Sequence, residues 1–489
     1  MRQQAFIHVI TVLVGLFDHP AFGQSGLSLF GNTGRASATT FVMDYQAIGI
    51  NPANLGWEWR FKDKHLALGL AEGSYGVYSD ALSRDDIRQR MFNSDFRFTD
   101  EERDQAVANF TDAGATINVD VMALGACWSN ERIGGFAFQA RDRLQVSARM
   151  GSRMADLVFK GSSADVFDLL VLATGDTVSN YAGMSPDSLA LVVLGIATEP
   201  QILGQVLDGT EAGFLWYREF NFSYGRWLVR NDDLEIDAGI GLKYLLGIGV
   251  IDMRAEGGGL SGFSSLSPDF QIDYQTGSFL PGARFSFGDL AFPRSVGKGF
   301  GVDLGLAARI NGTWKLGLSV TDLGSIRWSG DAYEASNGSL VEMAATGLEN
   351  YDLINGLDDF LINGGLLEWE EAAERSLPLA STARIGLGKL VGDRVELGTD
   401  LLLPLNQAVG SLESPAWGLG ADLRPFHWLQ FSTGMMAGGG QSVKVPLGLT
   451  FIVGNGTYEA GFASRDILTY FTKSNPTVSL SMGFLRFRF

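Results

Sequence analysis

The sequence predicts an all-β fold: a transmembrane antiparallel β-barrel of about 14 strands, with an N-terminal plug in the lumen and helical extracellular loops. Three observations carry this. Segments of about ten residues alternate apolar with small or polar side chains, the period of a strand with one apolar face. The connections between them alternate strictly between short and long, as in outer-membrane barrels with short periplasmic turns and longer external loops. Beyond the N-terminus no apolar run reaches the roughly 18 residues that a spanning helix needs; Leu189 to Ala197 is the longest.

In chain order, residues 1–23 read as a secretory signal. Arg2 supplies the positive charge, Ala5–Phe17 the apolar core, and Ala21-Phe22-Gly23 a small-x-small cleavage site. No cysteine follows the site, so a lipoprotein anchor is not indicated. An exported chain without a spanning helix enters a membrane as a closed barrel. Residues 24–63 lack alternation and are rich in Gly, Ala, Ser, Thr and Asn; they are set apart as the plug segment. The barrel, 64–489, follows. Its strands are expected at 65–77, 115–128, 133–149, 212–229, 234–250, 299–310, 313–327, 381–390, 394–403, 416–424, 428–438, 443–453, 456–466 and 477–489.

The hairpin 300–328 shows the pattern most clearly. Phe300, Val302, Leu304, Leu306, Ala308 and Ile310 alternate with Gly301, Asp303, Gly305, Ala307 and Arg309. Asn311-Gly312, which tolerates positive φ, makes the turn. Other tight turns fall at 129–132, 230–233, 391–393, 425–427 and 454–455. Long loops fall at 78–114, 150–211, 251–298, 328–380 and 404–415, with shorter ones at 439–442 and 467–476.

A soluble sandwich has the same period with its apolar face inward. Three features favour the membrane. The polar faces are dominated by Gly, Ser and Thr, which suits a filled lumen. Trp314, Trp428 and Tyr458 near the short turns, and Trp216 and Trp328 near the long loops, resemble interfacial girdles. The chain ends with Phe487 and Phe489 alternating with arginines, which resembles the closing-strand signal read by the barrel-assembly machinery. In that strand Val478, Leu480, Met482 and Phe484 share one face but Leu485, Phe487 and Phe489 share the other. Either a bulge near Phe484 switches faces, or the lumen is apolar there.

The loops carry helical patterns at Thr99–Phe110, Pro186–Leu207 and Ser339–Glu374, where Leu340, Met343, Leu348, Leu353, Leu357 and Phe360 recur at three- and four-residue spacings. These are expected to cap the barrel mouth.

The chemistry is sparse. Cys127 is the sole cysteine, so no disulfide framework exists. A net charge of −18 argues against nucleic acid as a partner. Beyond residue 23 the only histidines are His65 and His427, and His427 reads as an interfacial turn residue, not a base. No metal-ligand spacing, cofactor loop or nucleophile elbow is present, so no catalytic residue, metal or cofactor is expected and the chain does not read as an enzyme. The inward faces instead carry Glu235, Asp237 and Lys243, then Asp303, Arg309 and Lys315, then Arg384, Glu396 and Asp400. Charges at the lipid midplane cost about 2–4 kcal/mol for Arg or Lys, so these face the lumen. There they form a structural network or line a polar path.

The plug segment reads Gly31-Asn32-Thr33-Gly34-Arg35-Ala36, then Asp44, then Asn51-Pro52-Ala53-Asn54-Leu55-Gly56. Pro52 fixes φ and biases Asn51 to an extended form. Asn51 and Asn54 can bond nearby backbone, and Ala53 allows close approach to a wall. Later come Gly301-Val302-Asp303-Leu304-Gly305 and Asp322-Leu323-Gly324-Ser325-Ile326-Arg327-Trp328. The set resembles FadL-like and PorV-like barrels, and more closely a family of Bacteroidota outer-membrane barrels carrying a domain of unknown function. The FadL resemblance implies 14 strands, a lumenal hatch and passage of a hydrophobic ligand. The PorV resemblance implies a closed scaffold that works with a secreted or surface protein. Both imply the outer membrane, with its lipid as surroundings.

Overall fold

The computed structural model describes residues 29–82, 97–273, 278–279, 292–335, 337–344, 347–348, 369–472 and 477–489. The expected leader at 1–23 and the positions Leu353, Leu357 and Phe360 of the expected loop helix lie outside the described residues.

The chain folds into a closed antiparallel barrel of 14 strands. They are β1 (Leu66–Ser79), β2 (Gly114–Asn130), β3 (Gly134–Arg149), β4 (Glu211–Arg230), β5 (Leu234–Glu256), β6 (Gly297–Ile310) and β7 (Trp314–Trp328), followed by β8 (Thr382–Val391), β9 (Val395–Pro404), β10 (Ala416–Phe426), β11 (Leu429–Gly438), β12 (Leu447–Val453), β13 (Tyr458–Ser464) and β14 (Thr477–Arg488). Each strand pairs with the next. β14 pairs back onto β1, with Leu70 opposite Leu485 and Tyr75 opposite Leu480. Closure removes the sheet edge, the condition for placing strand backbone in hydrocarbon. At the β6–β7 turn Asn311 and Gly312 both take positive φ, 48° and 63°.

The outward face is apolar: Phe222, Leu242, Phe300 (70% exposed), Leu318, Leu387 and Leu419 stand on it. An exposed belt of this kind is the surface that lipid covers. Trp128, Trp314 and Trp428 are exposed near the short turns. Trp216 lies 5.7 Å from Phe270 at the long-loop end.

Among the bulges that reverse the alternation, two bear on residues singled out in the sequence. In β7, Val302 faces Leu323 but Leu304 faces Val320, so one extra residue is held at Thr321–Asp322, where Asp322 takes φ 61°. Beyond it the faces exchange, and Ile326 and Trp328 turn inward. Trp328 is therefore not an interfacial residue: it is fully buried in an apolar cluster with Leu215, Leu245 and Phe263. In β14, Glu459 faces Arg486 but Gly461 faces Gly483. Phe484 and Leu485 both face outward (50% and 45% exposed), and Arg486 turns in (5%). Of the two alternatives for this strand, the bulge holds.

The long-loop end carries a cap. Helix α1 (Asp100–Phe110) starts on a capping box between Thr99 and Glu102. Helix α2 (Ser152–Lys160), for which no pattern was recognised in the sequence, buries Met154, Leu157, Val158 and Phe159. The Phe159 ring meets Phe98 at 5.8 Å and Phe110 at 5.1 Å. The expected helix at 186–207 is instead two single turns around the strand Val192–Ile202. Its Val, Ile and Thr residues suit a pleated surface better than a helix. Ser339–Met343 is likewise a strand pairing with it, and Leu169–Leu172 and Thr177–Ser179 complete a small sheet. Residues 405–415 fold inward across the barrel mouth: a Cβ on Gly213 of β4 would stand 3.1 Å from Val409, and Arg254 of β5 donates to the Gln407 carbonyl.

Candidate functional site

Nearest the short turns, residues 29–63 thread among the inward side chains of the strands. Glycines on those faces make the room. A Cβ on Gly483 would stand 2.5 Å from the Phe30 ring, and one on Gly398 would stand 2.2 Å from Phe41. The plug-motif residues are held as follows. Arg35 forks onto Asp422 at 2.9 and 2.7 Å. Asp400 accepts from Ser37 Oγ (2.9 Å), Ala38 N (2.7 Å), Thr39 N (2.9 Å) and Thr39 Oγ (2.8 Å). Asp44 pairs with Arg486 at 2.5 Å and Arg488 at 2.9 Å. Asn51 caps the turn Pro52–Gly56 by accepting from Ala53 N, and its amide reaches the Leu306 carbonyl at 3.1 Å. Asn54 donates to the carbonyls of Thr39 and Val42.

The inward charges divide into separate groups. Lys315 pairs with Glu396 at 2.5 Å and donates to the Thr40 carbonyl. Glu235 pairs with Arg230 and lies 3.6 Å from Arg309. Asp237 is fully buried, and a Cβ on Gly56 would press on its Oδ1. Beyond the segment, towards the long loops, an ionic layer crosses the lumen. Lys243 Nζ lies 2.9 Å from Asp303, 2.5 Å from Asp322 and 3.8 Å from Glu219. Arg143 reaches Asp322 and Glu219, and Arg141 bridges Glu219 (3.2 Å) and Asp120 (3.5 Å). Arg384 occupies an inward position on β8, between Ser319 of β7 and Leu402 of β9. Phe487 lies 5.4 Å from Tyr458 on the outer face, and Phe489 is exposed.

Arg141, Arg143, Glu219 and Asp422 were not singled out from the sequence, and Asp322, Arg486 and Arg488 stood there only as members of motifs, with no lumenal role. The first three lie on the inward side of a clean alternation and could have been found there. Asp322, Arg486 and Arg488 follow or form bulges, where counting by twos fails.

At the long-loop end the lining becomes apolar. A cavity of about 70 Å³ lies among Leu215, Val250, Ile326, Trp328, Leu379 and Val409, with Asp252 and Gln407 as the polar residues of its lining. The 405–415 segment lids it. Asn406 donates to the Leu379 carbonyl at 2.7 Å, and Glu413 pairs with Arg149 at 3.2 Å.

A closed 14-stranded barrel with an apolar belt and a charged interior defines an outer-membrane-type barrel protein. The chain belongs to the family of unknown function DUF5723, which it matches over residues 62–455. No curated protein matches it in sequence. Among solved structures it is similar to the Ralstonia pickettii toluene transporter TbuX (12% identity, 95% of this chain and 99% of that one, TM-score 0.42). It is also similar to the P. putida toluene transporter TodX (10%, 95% and 97%, 0.39) and to a Pseudomonas aeruginosa FadL homologue (13%, 96% and 98%, 0.35).

Proposed function

We propose that the chain is an outer-membrane protein that admits small hydrophobic molecules from the cell surface, the apolar chamber beside Trp328 being the entry site. The observation that supports this is the switch in lining: an interior that is ionic and hydroxylic over most of its depth becomes apolar under the lid. Apolar concavities with few polar groups are where hydrophobic ligands bind. The bulge at Thr321–Asp322 is what turns Ile326 and Trp328 into it. At about 70 Å³ the chamber has about half of the roughly 150 Å³ that takes benzene in an engineered protein cavity. The lid must therefore shift when a ligand enters. Below the chamber, the layer around Lys243 is the barrier to onward passage, and residues 29–63 act as the plug of the periplasmic half.

A second reading, a closed scaffold for a secreted or surface protein, draws support from the many bonds that tie Arg35, Ser37–Thr39 and Asp44 to the wall. Crystals soaked in bromobenzene separate the two. Uptake predicts bromine density between Trp328, Leu379 and Val409. Density confined to the outer belt favours the scaffold.

A further inference from the structure

A second cavity, of about 440 Å³, opens in the cap, away from the lumen, between α1, the turn after α2 and residues 180–192. That is within the roughly 300–1,000 Å³ range of small-molecule sites. Nothing derived above for the barrel uses it. Its chemistry is unlike that of the chamber beside Trp328.

Three features are combined there. Lys160 lies 2.8 Å from Asp156 and 3.5 Å from each of Asp104 and Asp165. Asp156 takes the closest contact, so Asp104 and Asp165 are steered to the cavity wall with most of their acceptor capacity free; their side chains are 71% and 83% exposed. Carboxylates presented in this way accept from vicinal hydroxyls. Tyr181, 62% exposed, offers a flat apolar face beside Met184. Such a face is covered well by a ring that has C–H groups on one side and polar groups at its edge. Finally, Arg103 lines the cavity with its Nε–H buried and unbonded, and among the described residues no carboxylate pairs with its guanidinium. A free guanidinium fork matches a planar carboxylate through two parallel bonds.

We propose that this cavity binds a soluble acidic saccharide: hydroxyls to Asp104 and Asp165, one ring face on Tyr181, and a sugar carboxylate on Arg103. An apolar ligand would desolvate Lys160 and the two carboxylates without compensation. A bare anion would leave Tyr181 and Met184 unused. A neutral sugar would leave Arg103 unpaired.

The test is calorimetric titration of the full-length, detergent-purified chain with digalacturonate and, separately, with neutral galactobiose. The wild type should bind digalacturonate saturably and at least about tenfold more tightly than galactobiose, because charge-assisted forks outweigh neutral contacts. Arg103→Gln should weaken digalacturonate binding by about tenfold and so remove its preference over galactobiose. Tyr181→Ala should weaken both sugars by about tenfold or more, the loss of an aromatic contact. Both substitutions sit in the cap, and heat-modifiable migration on a denaturing gel checks that the barrel is intact. The proposal is overturned if the wild type shows no saturable digalacturonate binding, if it binds the two sugars equally, or if neither substitution changes the affinity.

Discussion

Asp400→Asn should loosen the N-terminal segment more than any other single isosteric change on the barrel wall. The Asp400 carboxylate accepts four bonds from three consecutive residues, Ser37, Ala38 and Thr39, all buried. Bonds to a charged acceptor contribute about 1.5–3 kcal/mol each, and neutral ones about 0.5–1.5 kcal/mol. The amide oxygen can take the Oδ2 place and keep its three bonds while the NH2 group donates to the Ser37 hydroxyl, so the loss comes from exchanging a charged acceptor for a neutral one across the cluster. Allowing for non-additivity within one cluster, the loss is about 4 kcal/mol. At about 1.4 kcal/mol per decade, local opening around residues 37–39 becomes nearly a thousandfold more frequent. Hydrogen exchange followed by mass spectrometry reads this directly, because buried amides exchange through such openings. The Ala38 and Thr39 amides should lose about three decades of protection. Amides in β9 and β10, bonded within the ladder, should change little. Unchanged protection at 38 and 39 in a folded variant would refute the reasoning that Asp400 holds the segment.

Other consequences follow from the same contacts. Lys243→Met leaves Glu219, Asp303 and Asp322 clustered without their shared cation. It should cost about 3–5 kcal/mol, seen as an earlier urea transition of the heat-modifiable band. Burial pushes the Glu413 carboxyl up to about 7, with Arg149 pulling the other way. A raised value means that the closed lid holds the proton more tightly than an open one. Closure is therefore favoured at low pH, and that advantage is lost as pH rises from the ordinary glutamate value of about 4.3 through about 7. Spin-label distances from residue 409 to β4 should lengthen over that range in the wild type and stay flat in Glu413→Gln. Deleting residues 29–60 should leave a folded barrel. Its conductance in planar bilayers should exceed that of the intact chain and rise further when residues 406–413 are also replaced by a short glycine linker, as the proposed plug at one end and lid at the other require.

The strand count and order were legible because lipid on one side and a packed lumen on the other impose the same alternation on every strand. Phe300 to Ile310 and Trp314 to Val320 could be placed by counting alone. Counting failed where the backbone takes an extra residue. Trp328 was placed at the membrane interface because the bulge at Asp322 depends on a positive φ that no local pattern announces. The ambiguity at Phe484 could be stated but not resolved, and resolving it inward brings Arg486 and Arg488 to Asp44. The strand Val192–Ile202 was mistaken for helix because a short apolar run carries no period. The inward charges could be assigned to the lumen individually, but their partners could not: Lys243, Asp303 and Asp322 meet only because β5, β6 and β7 are neighbours in a particular register. The apolar chamber was illegible for a similar reason, since its wall comes from β4, β5, β7 and two loops.

The central claim, that a small apolar molecule enters through the chamber beside Trp328, is tested most directly by uptake into cells. A strain lacking the chain should be complemented by the wild type and by the conservative variant Val409→Ile, and the rate of radiolabelled toluene accumulation measured in each. Val409→Trp, which fills the chamber from the lid and changes no residue of the barrel wall, should accumulate no faster than the deletion strain while reaching the outer membrane at wild-type level. Accumulation by Val409→Trp at the wild-type rate would contradict the account.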